Sequence, residues 1–345
     1  MKLTGSFFIL GVAFVLPIVF LEESWELTGY FAIAALTCLV VPSNRFAPKQ
    51  LSTVGFAVIS ISCLLAYFAP AIPMLAGAGI GIGSSLANLA LLQQAAATGP
   101  ARKLLQLQAF MAVGNATPPL LAVVGVEVTL FVVFMSVVAA AMTLFTVRSP
   151  TQWASARGAS RASLSLAVCS GLATAAQLGV LIAAQQLVDD AVNGAGVWAG
   201  ASIGIVLGRV LSAVFSQYLS WRVAGAFALA YAALILMFPL VGGGIGASVL
   251  AFLVSVCIGP VFPLVLAAAY SGSREGGRIR GNSGPLALAI SIGTSGVLPF
   301  LLGADSGRWA TVALAVTATA LAGLLFRVAA RVETLSTSPE PEVTR

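Results

Sequence analysis

Long apolar runs divide this sequence into twelve segments, each close to the roughly 20 residues that a helix needs to cross a bilayer. The predicted spans cover residues 4–21, 26–42, 51–69, 72–96, 104–124, 128–147, 162–187, 196–217, 222–240, 246–270, 284–303 and 308–330. Because 59% of the residues are hydrophobic and only 8% are charged, the chain cannot form a water-soluble surface. We therefore predict an all-α integral membrane protein.

The charged residues alternate between the two ends of these segments. Basic residues lie at every second connection: Lys2, Arg45, Lys49, Arg102, Lys103, Arg148, Arg157, Arg161, Arg222, Arg274, Arg278, Arg280, Arg327 and Arg331. The opposite connections carry Glu22, Glu23, Glu26, Glu127, Asp189, Asp190 and Asp305, with Arg308 as the one basic exception. Since Lys and Arg collect on the cytoplasmic side, we expect both termini to be cytoplasmic, in a bacterial plasma (inner) membrane.

The one long polar interruption divides six spans from six. We predict an N-terminal half over residues 1–147, a cytoplasmic linker over 148–161, a C-terminal half over 162–332 and a disordered cytoplasmic tail over 333–345. The fifth and eleventh spans share a Gly and Pro interruption, and the fourth and tenth share an Ile-Gly pair at Ile82-Gly83 and Ile258-Gly259. Such matches are typical of transporters built from repeats.

Several classes of function lack their residues here. There is no histidine, and the four cysteines lie in apolar runs without a CxxC pair, so no metal site or disulfide framework is indicated. No nucleotide-binding loop or buried carboxylate pair is present, and the basic residues form no continuous stripe. We expect neither an enzyme nor a nucleic-acid-binding protein, and no cofactor.

The connection after the second span resembles a motif of the major facilitator superfamily. Residues 44–49 read NRFAPK where the family has a GxLADRxGRR loop, with Asn44 in place of the usual Asp and Val40 in place of Gly, while Arg45 and Lys49 keep the basic character. The resemblance implies two six-helix halves around a central cavity and transport by alternating access. The amide at Asn44 departs from the family's cytoplasmic charge network.

Within that superfamily, the fourth and fifth spans resemble the fucose permease branch. Residues 81–88 read GIGSSLAN and residues 103–114 read KLLQLQAFMAVG, so that Asn88, Gln108, Phe110 and Gly114 match the branch's patterns. The resemblance also implies proton-carrying carboxylates in the first and fourth helices, but here Ser84 replaces the second and no acid precedes Glu22. Coupling through a buried carboxylate is therefore not expected.

Polar residues away from the ends of the spans are the candidates for binding a solute, because polar groups facing lipid are costly. The predicted substrate-binding residues are Asn88, Gln108, Asn115, Thr117, Gln177 and Thr294. For Asn88 and Gln108, a hydrogen bond that only fixes helix packing is an equal alternative. The hydroxyls of Thr117 and Thr294 can also bond to their own helix backbone.

Arg209 is the one charge well inside a predicted span. No intramembrane acid is available to pair with it, so its candidate partners are backbone carbonyls or an anionic solute. The residues from Gly208-Arg209 to Trp221-Arg222 resemble a second copy of the gating motif. We therefore assign Arg209, with Asn44, Arg45 and Lys49, to gating, and keep contact with a solute as the alternative.

These observations predict a secondary transporter of a small polar organic solute, sugar-like by resemblance, that works as a monomer in the lipid bilayer. Two alternatives stay open. An exporter of an amphipathic drug or metabolite would also suit a cavity without carboxylates. A non-transporting membrane sensor or assembly factor could retain this fold after losing its coupling residues.

Overall fold

The computed structural model describes residues 3–21, 24–41, 46–69, 71–98, 101–148, 164–187, 191–241, 244–271, 273–275, 278–280, 283–301 and 307–337. Six helices form the first half of the chain: α1 (Leu3–Phe20), α2 (Ser24–Val40), α3 (Pro48–Phe68), α4 (Pro73–Thr98), α5 (Ala101–Val123) and α6 (Val128–Arg148). Each agrees with a predicted span to within a few residues, because the apolar runs determine how much chain can lie in hydrocarbon.

The second half has the same number of spans, but two of them are divided. Its helices are α7 (Leu164–Leu187), α8 (Ala191–Val214), α9 (Trp221–Ile235), α10 (Phe238–Val241), α11 (Ile245–Ile258), α12 (Val261–Ser271), α13 (Gly284–Leu301) and α14 (Gly307–Thr337). α9 and α10 together form the ninth span, and α11 and α12 form the tenth. Pro239 and Pro260, which lack an amide hydrogen, lie at or near the two divisions.

Seven helices in the described part of the chain are long and apolar enough to cross a membrane, and four more are shorter but apolar. α5, which contains more polar residues, is the remaining span. The predicted all-α membrane class with twelve spans is therefore confirmed. A small antiparallel hairpin was not predicted, in which β1 (Ser273–Glu275) pairs with β2 (Arg278–Arg280). The sequence signal was the Gly-Gly pair between the strands.

The predicted linker and the predicted tail are two polar segments of the chain. The predicted linker lies outside the described residues except for Arg148, which ends α6. The predicted disordered tail began too early, because α14 continues through Glu333 to Thr337. Polar residues can extend a helix beyond the bilayer when the preceding apolar residues have already nucleated it, since each added residue then gains one hydrogen bond.

The two halves repeat the same packing. In the first half, α1 packs on α5, α3 on α4 and α6, and α2 on α4. In the second half, α7 packs on α13, α9 on α11 and α14, and α8 on α11. Each pair in one half therefore has its counterpart six spans later in the other. The predicted division into two six-helix halves is confirmed, and it is expressed in the helix contacts more clearly than in the sequence.

The most extensive contacts between the halves join α2 with α13 and α5 with α8, and α12 also contacts α4 and α5. Of the seven long apolar spans, α4 and the tenth span are the most enclosed. In an apolar stretch of 18 residues, 78% and 67% of their residues are buried, whereas the value for α6 is 33%. The ninth and twelfth spans, at 39% each, are also peripheral. α4, α5, α7, α8 and the tenth span thus lie where a site between the halves can form.

Candidate functional site

Arg209 is buried at the contact between the two halves. Its side chain is 4% exposed. Its Nη2 donates to Gln177 Oε1 of α7 at 3.0 Å, and its Nη1 donates to the backbone carbonyl of Gln108 in α5 at 3.4 Å. The guanidinium carbon lies 5.3 Å from the centre of the Phe262 ring. We call Gln108, Gln177, Arg209 and Phe262 the arginine cluster.

The division of the tenth span supplies two of the partners in this region. α11 ends at Ile258 and α12 begins at Val261, with Gly259 and Pro260 between them. The carbonyl of Ile258 accepts a hydrogen bond from Gln177 Nε2 at 3.4 Å. Phe262, one residue into α12, then lies against Arg209. Gln177 therefore connects the charged side chain to the backbone at the helix break.

A glycine contact brings α8 close enough for Arg209 to reach these groups. A Cβ on Gly208 would lie 2.7 Å from the Val256 carbonyl oxygen and 3.0 Å from Gly259 Cα. Both approaches are shorter than normal carbon contacts, so residue 208 cannot carry a side chain without moving the tenth span. In α8, Gly208 therefore allows close contact with the tenth span, and the next residue, Arg209, places its charge beside that contact.

Within the described part of the chain, buried amide and hydroxyl groups without partners lie on α5, which carries Gln108 of the cluster, and on α4, which contacts α5 and α12. Gln108 is 1% exposed, and neither its Nε2 nor its Oε1 has a hydrogen-bond partner among the described residues. The same holds for Asn88 Oδ1 and Ser84 Oγ, which lie one turn apart on α4. Buried polar atoms are normally paired, so this concentration marks a place suited to a polar ligand.

Three other predicted residues lie apart from the arginine cluster. Thr117 donates to the Val113 carbonyl at 2.9 Å and Thr294 to the Ile290 carbonyl at 2.7 Å, each within its own helix. Asn115 lies where α1 meets α5, since a Cβ on Gly11 would be 3.0 Å from its Oδ1. The structure therefore brings Gln108 and Gln177 together with Arg209, and it does not bring these three to the same point.

Comparison with known proteins gives one kind of match. No family model and no curated protein matches the sequence. Among solved structures, the transporter FucP in its outward conformation aligns with a TM-score of 0.68 at 15% identity, covering 94% of this chain and 97% of that one. The chain has the major facilitator superfamily fold.

Further structures share this fold over nearly the whole chain. A variant of the E. coli fucose:proton symporter FucP aligns with a TM-score of 0.66 at 13% identity, covering 94% of this chain and 97% of that one. The nucleoside transporter NupG aligns with a TM-score of 0.59 at 13% identity, covering 95% and 99%. At these identities the comparisons establish the arrangement of helices, which the motifs in α4 and α5 had indicated.

Of the predicted gating residues, Asn44 and Arg45 lie outside the described residues. Lys49, in the first turn of α3, is half-buried. Arg209 lies deeper than a residue at a helix end, five residues before α8 ends and therefore about 8 Å along its axis. Its bond to the Gln108 carbonyl joins the two halves directly.

Sequence reasoning missed a hydroxyl cluster between α7 and α13. Thr174 hydrogen-bonds to Ser291 across the two helices and also donates to the Ser170 carbonyl at 3.0 Å. Ser170 Oγ is buried without a partner among the described residues. Serine and threonine are common in membrane helices, so the useful signal was their spacing: Ser170, Thr174 and Gln177 lie on one face of α7.

The structure also contains a groove of about 830 Å³ between α1, α5 and α8. Its lining includes Thr4, Arg102, Lys103, Phe110, Val210 and Val214. The basic residues lie at one end, where α5 begins, and the rest of the lining is largely apolar. Among the described residues, no group of three or more His, Cys, Asp or Glu side chains could hold a metal ion.

Proposed function

We propose that this protein is a secondary transporter that moves a small polar organic solute through the membrane by alternating access. The observation that carries the proposal is the arginine cluster, in which Arg209 of one half bonds to Gln108 of the other. A contact that joins the halves through a buried charge and two amides can respond to a solute and control the relative position of the halves.

The neighbouring polar residues support binding of a hydroxylated solute. Asn88 Oδ1, Ser84 Oγ and both amide atoms of Gln108 lack hydrogen-bond partners among the described residues. Together they offer donors and acceptors such as hydroxyl groups require. Asn115, Thr117 and Thr294 are assigned to outer parts of the solute's route. No catalytic role is proposed, since these amides and hydroxyls lack an adjacent base.

Transport can be tested with the purified full chain in proteoliposomes. We expect labelled monosaccharides or related hydroxylated solutes to enter faster than into empty vesicles, and Asn88→Leu and Gln177→Leu to reduce that rate. Ser136→Ala is a matched control, because Ser136 bonds to Ser60 within the first half. Flux equal to that of empty vesicles across a broad set of solutes would favour the non-transporting sensor or assembly factor.

The groove between α1, α5 and α8 favours a second candidate, export of an amphipathic molecule. It opens on exposed apolar side chains such as Phe110 and Val214, with Arg102 and Lys103 at its predicted cytoplasmic end. An amphipathic substrate could enter there from the inner leaflet. Faster extrusion of a lipophilic dye from vesicles that contain the protein, reduced by Phe110→Ser but not by Gln177→Leu, would support this candidate over sugar transport.

A further inference from the structure

Arg209 is a buried cation for which the membrane-spanning sequence provides no counter-charge. The chain has no Asp or Glu in residues 128–188 or 191–274, which include α6 to α12. The other acids that the structure describes lie at helix ends or in the hairpin: Glu26, Glu127, Glu275 and Glu333. A buried charge is strongly unfavourable unless it is paired. The described residues therefore give Arg209 no acidic partner, and an anion from outside the chain would supply one.

The hydrogen bonds of Arg209 leave room for such a partner. A guanidinium group has five N–H donors in one plane. The two acceptors that it contacts, Gln177 Oε1 and the Gln108 carbonyl, are both neutral. Its Nε is buried without a partner among the described residues. An acceptor that approaches the Nε edge would satisfy this donor without breaking the bond to Gln177.

Phe262 defines how a partner can approach. Its ring lies over the guanidinium carbon, so it covers one face of the planar group and leaves the donor edges for hydrogen bonding. A carboxylate matches those edges because its two oxygens accept two parallel N–H bonds. The Gln108 amide, whose Nε2 also lacks a partner among the described residues, is a further donor on a residue that already contacts Arg209.

We propose that the transported solute is a carboxylate monoanion, a hydroxylated organic acid, whose carboxylate binds Arg209 and the Gln108 amide. A single negative charge neutralises Arg209, whereas a phosphate dianion would leave one negative charge buried and unpaired. The neighbouring amide and hydroxyl groups then bind the solute's hydroxyls. This inference rests on the proposed transport function and specifies the class of its substrate.

Binding of the carboxylate also connects recognition with movement. The Gln108 carbonyl bond to Arg209 joins the halves at 3.4 Å, a long hydrogen bond between a charge and a neutral acceptor. A carboxylate is a stronger acceptor for the same donors and can replace it. The chain has no histidine, and Glu26, the one acid that is buried among the described residues, lies in the first turn of α2, so we expect the anion to cross without a proton. Uptake is then electrogenic.

The first experiment measures thermal stabilisation of the purified full chain by matched pairs of solutes. Glucuronate is compared with glucose, galacturonate with galactose, and gluconate with sorbitol, since each pair differs by a carboxylate. We expect at least one acid to raise the unfolding temperature while its neutral partner does not. Arg209→Gln should weaken that binding by about 30-fold or more, as loss of a buried charge partner does. Arg148→Gln, at the exposed arginine that ends α6, is the control.

Two further measurements keep the test independent of how well Arg209→Gln folds. Arg209→Lys retains the charge but loses the planar donor edge, and Gln108→Leu retains Arg209, so each should weaken binding of the acid. In proteoliposomes, a valinomycin potential that is positive inside should accelerate uptake of the acid and leave uptake of the neutral partner unchanged.

The outcomes separate this inference from the proposed function. Stabilisation and transport of a neutral sugar, with no effect of its acid, would retain the transporter and overturn the carboxylate assignment. Equal binding of the acid by wild type, Arg209→Lys and Gln108→Leu would overturn the assigned residues. Absence of binding and flux for every acid and every neutral solute would overturn the proposed transport function itself.

Discussion

The fourth and tenth spans occupy equivalent positions in the two halves, yet they differ at one residue pair. α4 reads Gly83-Ser84 and continues as one helix of 26 residues. The tenth span reads Gly259-Pro260 and divides into α11 and α12 at that point. The division places Phe262 over Arg209 and makes the Ile258 carbonyl available to Gln177. Proline after the shared Ile-Gly pair thus accompanies a helix division that α4 lacks.

The two spans also differ in what lies beside their close glycine contacts. In α4, Gly83 approaches α3 so closely that a Cβ would lie 2.6 Å from the Gly55 carbonyl oxygen. In the tenth span, Gly259 makes the corresponding kind of approach to Gly208 of α8, directly beside Arg209. Both glycines allow close helix contact, but only the second contact adjoins a charged side chain. At this position the first half is therefore the more regular of the two, and the contact beside a charge lies in the second.

Ser84→Pro would impose the break of the tenth span on α4, and we expect the largest effect here. Proline removes the amide hydrogen that bonds to the Ile80 carbonyl and clashes with that turn, which costs about 3 kcal/mol. Thermal unfolding in detergent measures the loss, with Ser84→Ala as the control. A stability equal to that of the wild type would mean that the two spans are interchangeable.

Replacing Gln177 and Asn88 by Leu, one at a time, compares a hydrogen-bonded amide in the second half with an amide in the first half whose oxygen has no partner among the described residues. Gln177 accepts from Arg209 and donates to Ile258, so its loss leaves a charged donor unsatisfied and costs about 1.5–3 kcal/mol. Asn88→Leu, which removes an Oδ1 without a partner among the described residues, should be neutral or stabilising. Chemical or thermal unfolding of both variants provides the test, and equal destabilisation would contradict it.

Pro260→Ser gives the tenth span the residue found in α4. A continuous helix would rotate Phe262 away from Arg209 and remove a cation–π contact of about 0.5–2 kcal/mol, so solute affinity should fall by about 2- to 30-fold. Protein stability should change little, because the missing helix bond is restored. Binding isotherms and unfolding temperatures measured on the same preparation distinguish these effects. Unchanged affinity would show that the break has no role in recognition.

Ser60→Ala tests the regular packing of the first half and should have the smallest effect. Ser60 Oγ donates to the Ser136 carbonyl at 2.9 Å, and Ser136 Oγ donates back to the Ser60 carbonyl at 3.0 Å. Bonds of this kind between membrane helices contribute about 0.6 kcal/mol each. Thermal unfolding should therefore change slightly and transport not at all. A loss of transport would place α3 and α6 in the moving part of the protein.

The sequence predicted the fold well because membrane helices are specified by local properties. Apolar length located every span, although the division of the tenth span at Gly259-Pro260 was not predicted. The ends were less certain: polar residues such as Glu333 extend α14 because a formed helix is cheap to lengthen. The Gly-Gly pair was present as a hairpin signal, but short strands in polar loops have little hydrophobic pattern to distinguish them.

The candidate site was predictable in part. Gln108, Gln177 and Arg209 stood out because polar residues inside apolar runs are rare, but their mutual contact depends on which helix faces lie opposite each other. The sequence gives no register between α5 and α8. Thr117 and Thr294 were chosen on the same polar criterion, yet each bonds to its own backbone. Phe262 was unremarkable among many apolar residues until the fold placed it beside a charge.

The length of α14 has a practical consequence. Its 31 residues extend about 46 Å, well beyond a hydrocarbon layer of roughly 30 Å. The helix continues past Arg327 and Arg331 and ends five residues after the apolar span, which covers Trp309–Val332. A helical fusion partner joined in register at Thr337 would be held rigidly to the bundle, giving this small protein an alignment marker for electron cryo-microscopy.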